Sequence, residues 1–166
     1  LVTKKKYTDE TEVKKMLRYG KILIMTDQDL DGSHIKGLCI NMFHSQWHEL
    51  IKLNNFLGFM NTPIIKATKG KKTKSFYDES AYHKWKEENN NGKGWKIKYY
   101  KGLGTSTSKE FKEYFANKKI VTFKYGNMCD NAIDKVFNKT RADDRKEWLE
   151  VYDKDKRLSY SKKHIG

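Results

Sequence analysis

The chain has 166 residues and a formal net charge of +14, from 35 lysines and arginines against 21 aspartates and glutamates. Hydrophobic residues make up 37% of it and aromatic residues 13%, which suffices for a buried core and excludes wholesale disorder. No run reaches the roughly 18 apolar residues of a membrane span, and residues 1–7 lack the apolar core of a signal peptide. We therefore expect a soluble, intracellular protein without a membrane partner. The excess of lysine favours a polyanionic partner, held by phosphate contacts rather than by base reading.

Cysteine usage argues against a cross-linked or zinc-bound scaffold. The two cysteines, Cys39 and Cys129, are far apart, and neither has a CxxC partner. A disulfide framework and a structural zinc site both need more cysteines at closer spacing. We expect two reduced, half-buried thiols.

The first third of the sequence predicts a strand that leads through an acidic loop into a long helix. After a basic lead over residues 1–8, a short helix is predicted over 9–17. The continuous apolar run 21–25 is typical of a strand that is covered on both faces in a parallel sheet. Apolar residues at helical spacing over 34–51 predict an amphipathic helix. In such βα units, ligands bind at the carboxyl end of the strand.

Shorter elements are predicted along the rest of the chain. Strands are expected over 56–67, 75–77, 95–101 and 120–125. Helices are expected over 79–88, from a capping box at Thr107 and Glu110 onward, over 131–138 and over 141–152. The composition of 69–74 indicates a basic turn, that of 89–94 a surface loop, and that of 153–166 a flexible basic tail.

The acidic loop places three carboxylates, Asp27, Asp29 and Asp31, within five residues. Such close like charges repel unless a cation neutralises them, and hard oxygen donors suit magnesium. In an extended segment alternate residues point the same way, so the three groups could converge. The alternative is that these acids only cap the following helix. An EF-hand is excluded because its twelfth position, which needs a glutamate, is Leu38, and because a strand precedes the loop.

Four blocks of sequence carry a family resemblance. They are LRYGKILIMTDQDLDGSHIKGL over 17–38, TPIIK over 62–66, YYKGLGTS over 99–106 and ADDRKEWL over 142–149. In this order they resemble the Toprim domain of eukaryotic-type, type IIA DNA topoisomerases, and the resemblance extends from about residue 7 to 152. It implies an α/β Toprim fold, with a Rossmann-like, mostly parallel sheet flanked by helices, and a C-terminal helical extension.

The resemblance also implies a division of the chain. Residues 1–20 would form the basic lead and a short helix, and residues 21–126 the C-terminal part of the Toprim domain with an insertion. Residues 127–152 would form a helical extension toward a winged-helix domain, followed by the tail over 153–166.

Site residues follow from the same resemblance. Asp27 and Asp29 look like magnesium ligands, with Asp31 in support, and Mn²⁺ or Ca²⁺ can substitute in binding. Lys101 and His34 resemble catalytic residues near the scissile phosphate, although Lys101 can also be an ordinary surface lysine and His34 a capping or packed histidine. Lys101 would also contact DNA. Arg145 and Lys146 match a segment that touches the DNA backbone, unless they pair with acids on a solvated helix face, as Lys146 and Glu150 could.

The function implied is that of an ATP-dependent type II DNA topoisomerase, which passes one duplex through a transient double-strand break in another. The family's ATPase region, its metal-binding Toprim glutamate and its winged helix with the nucleophilic tyrosine match no part of this chain. The isolated fragment is therefore expected to be inactive and to bind no ATP.

Expected partners are duplex DNA, the rest of the topoisomerase chain and a second copy of the parent enzyme. We expect a nuclear location in a eukaryotic cell, or the host cytoplasm or nucleus for a viral protein. The alternatives are a non-catalytic basic nucleic-acid-binding module and another Toprim enzyme, a primase or nuclease.

Overall fold

The computed structural model describes residues 1, 5–7 and 9–151. In chain order its helices and strands are α1 (Glu10–Met16), β1 (Ile22–Ile24), α2 (Leu30–Gln46), α3 (His48–Ile51), β2 (Leu57–Asn61), β3 (Ile65–Lys69), β4 (Lys72–Phe76), α4 (Glu79–Glu88), β5 (Lys96–Tyr99), α5 (Ser108–Ala116), β6 (Lys119–Thr122), α6 (Cys129–Phe137) and α7 (Ala142–Glu150). The α/β class is confirmed. The tail expected over 153–166, and residues 2–4, 8 and 152 of the other predictions, lie outside the described residues.

The described residues divide into two compact units, one up to Tyr125 and the other from Gly126 onward. In the first unit, a three-stranded sheet has the order β1-β2-β6, with Ile22 opposite Leu57 in the parallel pair. Its core is a cluster of buried apolar residues contributed by the sheet and by the helices before it. These residues are Tyr7, Val13, Phe43, Leu50, Ile51, Phe56, Leu57 and Phe59. Tyr7 lies within the predicted basic lead but is 3% exposed. The lead therefore contributes a side chain to the core.

A second sheet in the same unit has the order β4-β3-β5 and is entirely antiparallel. The helix α4 packs an aromatic face against it, in which Tyr82 and Trp85 contact Phe76 at ring distances of 5.3 and 5.2 Å. Asp78 caps α4 by accepting a hydrogen bond from the Ala81 N–H. The expected bounds of this helix, 79–88, agree with the structure.

The prediction of a mostly parallel sheet is wrong. Among the described strands of the two sheets, only β1 and β2 pair in parallel, and the other three pairs are antiparallel. A parallel pair needs a long crossover, and only α2 with α3 supplies one here. The link between β3 and β4 is the two-residue turn of Gly70 and Lys71, which forces an antiparallel hairpin. The strand predicted over 56–67 is also two strands, β2 and β3, in different sheets. They separate around Pro63, which has no N–H to donate to a ladder.

The long helix predicted over 34–51 begins earlier and is interrupted. It begins at Leu30, because Asp29 is its N-cap, and Trp47, at φ −141° and ψ 59°, separates α2 from α3. The half-buried state predicted for Cys39 and Cys129 is confirmed. Within the described ranges no helix has both the length and the apolar character needed to cross a bilayer.

Candidate metal site and its supporting loop

Asp27, Asp29 and Asp31 line one hollow of about 370 Å³ just beyond the carboxyl end of β1. The three residues therefore share one hollow, but their carboxylate oxygens do not all lie within 4.8 Å of one another, so the predicted convergence on one point is not reached. The loop is extended only as far as Asp29, at φ −133° and ψ −176°, whereas Asp31 lies in the first turn of α2. A strand end and a helix start, rather than a continuous extended segment, place the three side chains along one hollow.

Asp29 has two roles at this edge. Its Oδ1 accepts a hydrogen bond from the Gly32 N–H at 2.7 Å, so the capping alternative holds at this residue. A carboxylate has two oxygens with several lone pairs, so capping leaves acceptor capacity for a cation. Asp31 lies in the same helical turn, exposed to solvent. Capping and metal binding are therefore compatible here.

Asp27 is held by a loop that lies far away in the sequence. Its Oδ1 accepts a hydrogen bond from the Leu103 N–H at 2.7 Å. A Cβ on Gly102 would lie 2.6 Å from Asp27 Oδ2, so a larger residue would collide with the carboxylate. The group that Gly102 admits at close range is thus the side chain of Asp27.

Gly32 makes a second close contact beneath the hollow. A Cβ at this position would lie 1.9 Å from the Asp27 carbonyl oxygen, which no side chain tolerates. Beside it, Thr26 is 7% exposed, and its hydroxyl finds no hydrogen-bond partner among the described residues. Thr26 also lines the hollow. The sequence predicted neither the close backbone contact at Gly32 nor the buried position of Thr26. The only signal for Gly32 was its place after the third aspartate.

A single carboxylate closes the loop that holds Asp27. The Tyr100 hydroxyl donates to Glu110 Oε1, and the Thr107 N–H donates to Glu110 Oε2 at 2.7 Å. These two donors stand at the two ends of residues 100–107, so Glu110 ties the ends together. We call this arrangement the Glu110 staple. The sequence predicted Glu110 only as half of a capping box, a role that is confirmed.

The staple has a defined protonation state. Burial alone would raise the pKa of Glu110, but hydrogen bonds from Tyr100, Thr107 and Lys98 outweigh it and lower the pKa to about 2. The Lys98 ammonium lies 3.1 Å from Oε2. Burial and the bond to Glu110 raise the pKa of Tyr100. At neutral pH the carboxylate is thus charged and the phenol protonated, as the hydrogen bond requires.

Lys101 and His34 are not among the residues that line the hollow. His34 is exposed on α2, and Lys101 is exposed directly before Gly102. Lys101 therefore stands one residue away from the turn that contacts Asp27. Exposure does not favour the packed alternative for His34. The catalytic roles of both residues stay predictions.

Arg145 and Lys146 lie in the second unit and make different contacts. Arg145 Nη1 donates to the carbonyls of Lys135 at 2.9 Å and Asn138 at 2.7 Å, at the end of α6. Lys146 pairs with Asp143 at 3.0 Å, and both are exposed. The ion-pair alternative is thus present for Lys146, with Asp143 rather than Glu150 as the partner. DNA contact by these residues stays a prediction.

Comparison with known proteins covers nearly the whole chain. DNA topoisomerase 2-alpha of Rattus norvegicus is 55% identical over 157 residues, which are 93% of this chain and 10% of that protein. DNA topoisomerase 2-beta of Homo sapiens is 54% identical over 156 residues, 92% of this chain and 10% of that protein. The chain thus spans about a tenth of the length of these relatives.

The fold agrees with a solved structure. A crystal structure of the DNA-binding, cleavage and re-ligation domain of Plasmodium falciparum topoisomerase II superimposes with a TM-score of 0.81 at 48% identity. The match covers 92% of this chain and 21% of that one. A family model described as the C-terminal associated domain of TOPRIM matches residues 60–166, which include Lys101 and Arg145. From this match, the chain belongs to the family of the C-terminal associated domain of TOPRIM.

Proposed function

We propose that the chain is the metal-binding part of the DNA cleavage and religation core of an ATP-dependent type II DNA topoisomerase. The observation that carries this proposal is that Asp27, Asp29 and Asp31 line one hollow, in a chain more than half identical to DNA topoisomerases 2 over the matched residues. In the parent enzyme, one duplex would pass through a transient double-strand break in another. The parent would bind ATP outside this fragment, act as a homodimer and reside in the nucleus of a eukaryotic cell.

The donor set fits magnesium. Three carboxylates supply hard oxygens, and magnesium takes one or two protein carboxylates while it keeps several waters. Asp27 and Asp29 would hold the ion, with Asp31 in support. When bound, the ion would neutralise negative charge on the scissile phosphate. The Leu103 N–H keeps Asp27 in place, and Lys101 and His34 offer polar groups for the same phosphate.

A non-catalytic basic module is the second candidate, and the net charge of +14 favours it. The names of the relatives favour neither this module nor a primase or nuclease. Magnesium titration separates the two remaining candidates. A basic module would only lose DNA affinity as divalent salt is added, whereas the proposed site would bind the ion saturably.

Metal binding should depend on Asp27 and Asp29 more than on Asp31. Calorimetry with magnesium or manganese on each Asp→Asn variant measures this ranking. Asparagine caps helices about as well as aspartate, so Asp29→Asn removes the charge and keeps the cap. Asp29→Ala removes both the charge and the helix cap. Comparison of the two variants shows how much of any loss in metal affinity comes from loss of the cap. Equal loss at all three positions would refute the ranking.

DNA binding by the second unit can be assigned by single substitutions. Lys146→Gln should lower the slope of log affinity against log salt by about one unit, the value for one phosphate contact. Together with Arg145→Gln the reduction should reach roughly one to two units. Because Arg145 holds two backbone carbonyls, its replacement alone should also lower thermal stability, which circular dichroism monitors. Unchanged slopes in all variants would place both residues on a solvated face.

A further inference from the structure

The second sheet carries lysines without acidic residues. Residues 62–77 contain five lysines and residues 89–109 another five, and neither stretch contains an aspartate or glutamate. The β3–β4 turn concentrates four of them, which we call the basic hairpin. Its members are Lys69, Lys71, Lys72 and Lys74, all exposed. Lys96 stands beside it on β5, opposite Thr68.

Within the described part of the chain, the fold pairs Lys66 and Lys98 of this sheet with acidic residues, but not Lys96 or the basic hairpin. Lys66 pairs with Glu113 at 3.0 Å, and Lys98 pairs with Glu110 at 3.1 Å. The described residues place no carboxylate within ion-pair distance of the four hairpin lysines. The Lys74 ammonium instead lies 5.7 Å from the centre of the Phe76 ring. The uncompensated charge is therefore confined to the end of the sheet away from α5.

The hairpin register brings like charges together. Lys69 and Lys72 are directly opposite each other across the ladder, and like charges in this position destabilise a sheet. Lys74 lies on the same face as Lys72, about 6.8 Å further along, since an antiparallel strand rises about 3.4 Å per residue. A bound polyanion relieves this repulsion, and the ordered strands offer the charges without a large loss of conformational entropy on binding.

We propose that the basic hairpin binds the phosphate backbone of duplex DNA, at a surface separate from the acidic hollow. None of its four lysines lines that hollow. Lysine contacts phosphate as a point charge, whereas base reading favours arginine, so binding is independent of sequence. The choice of duplex DNA as the ligand rests on the proposed function; the charged surface itself does not.

The test measures the salt dependence of binding to a fluorescent duplex by the full 166-residue chain. Replacement of Lys69, Lys72 and Lys74 by glutamine should lower the slope of log affinity against log salt by roughly two to three units, about 0.9 per phosphate. A control triple variant, Lys14→Gln with Lys15→Gln and Lys21→Gln, loses the same charge and should keep the slope. Lysine-to-arginine changes at the three hairpin positions should also keep it. Equal slopes in the hairpin and control variants would overturn the proposal.

Two further arms separate this proposal from the metal site. Asp27→Asn should lose magnesium binding and keep the salt slope, while the hairpin variant should do the reverse. If wild type binds no magnesium but the hairpin variant loses the slope, the proposed function fails and the hairpin surface stands. A polyglutamate competitor that displaces the duplex as well as unlabelled DNA does, at equal charge, would assign the surface to acidic proteins instead.

Discussion

Replacement of Gly32 by alanine is expected to unfold or severely destabilise the first unit, with a loss of about 3 kcal/mol or more in the free energy of unfolding. The new Cβ would lie 1.9 Å from the Asp27 carbonyl oxygen, so backbone would have to move. Elsewhere in a helix the same change would stabilise by roughly 0.5–1 kcal/mol. The expected effect at Gly32 is therefore opposite in sign to that of the same change elsewhere in a helix.

Denaturant unfolding monitored by circular dichroism measures the Gly32→Ala effect. Gly20→Ala is the matched control, because a Cβ at Gly20 meets no atom within 4 Å. Magnesium binding of any Gly32→Ala protein that remains folded should be lost, since Asp27 would be displaced. Stability equal to that of the control would contradict the described packing beneath the hollow.

Acid should weaken the fold through the Glu110 staple. Because the folded-state pKa of Glu110 is lowered to about 2, below its ordinary value near 4.3, its contribution is complete above that ordinary value. The contribution is lost as pH falls through about 2. The side chain is 13% exposed, so we expect about 2–3 kcal/mol of stability to disappear between roughly pH 5 and pH 2 on this account.

Denaturant unfolding of wild type and Glu110→Gln across this pH range isolates the contribution of the staple. The variant should be less stable at pH 7 and should lose less stability on acidification. Glu113→Gln is the control, because Glu113 is 49% exposed and pairs only with Lys66 among the described ion pairs. Parallel curves for wild type and Glu110→Gln would show that Glu110 is not selectively stabilised in the folded state.

The parts of the fold that were predictable from sequence are those encoded by neighbouring residues. The bounds of α4 and the capping box of α5 depend on residues three or four positions apart, so periodicity and composition reveal them. The start of α2 was missed because Leu30, its first residue, is 89% exposed and breaks the apolar pattern. In that case a side-chain cap, rather than the pattern, determined where the helix begins.

The candidate site divides in the same way. The acidic triplet is local and was visible in the sequence as a cluster of carboxylates. The bond from Leu103 to Asp27 joins residues 76 positions apart, and the Glu110 staple depends on how residues 100–107 fold back. No spacing rule encodes such contacts, because they arise only when separate elements pack together.

The link between the two sheets has a mechanical consequence. Only residues 62–64 separate β2 from β3, and both Thr62 and Pro63 are buried. The Ile64 N–H donates to the Phe76 carbonyl at 2.9 Å, and the Ile64 carbonyl accepts from the Tyr100 N–H at 2.8 Å. Its backbone is therefore fixed by β4 and by the residue that follows β5. The link contains no slack that could absorb an applied load. A pull exerted by a ligand on the lysine-rich sheet would thus be transmitted directly to β2. This strand pairs with β1, and the carboxyl end of β1 leads into the acidic loop.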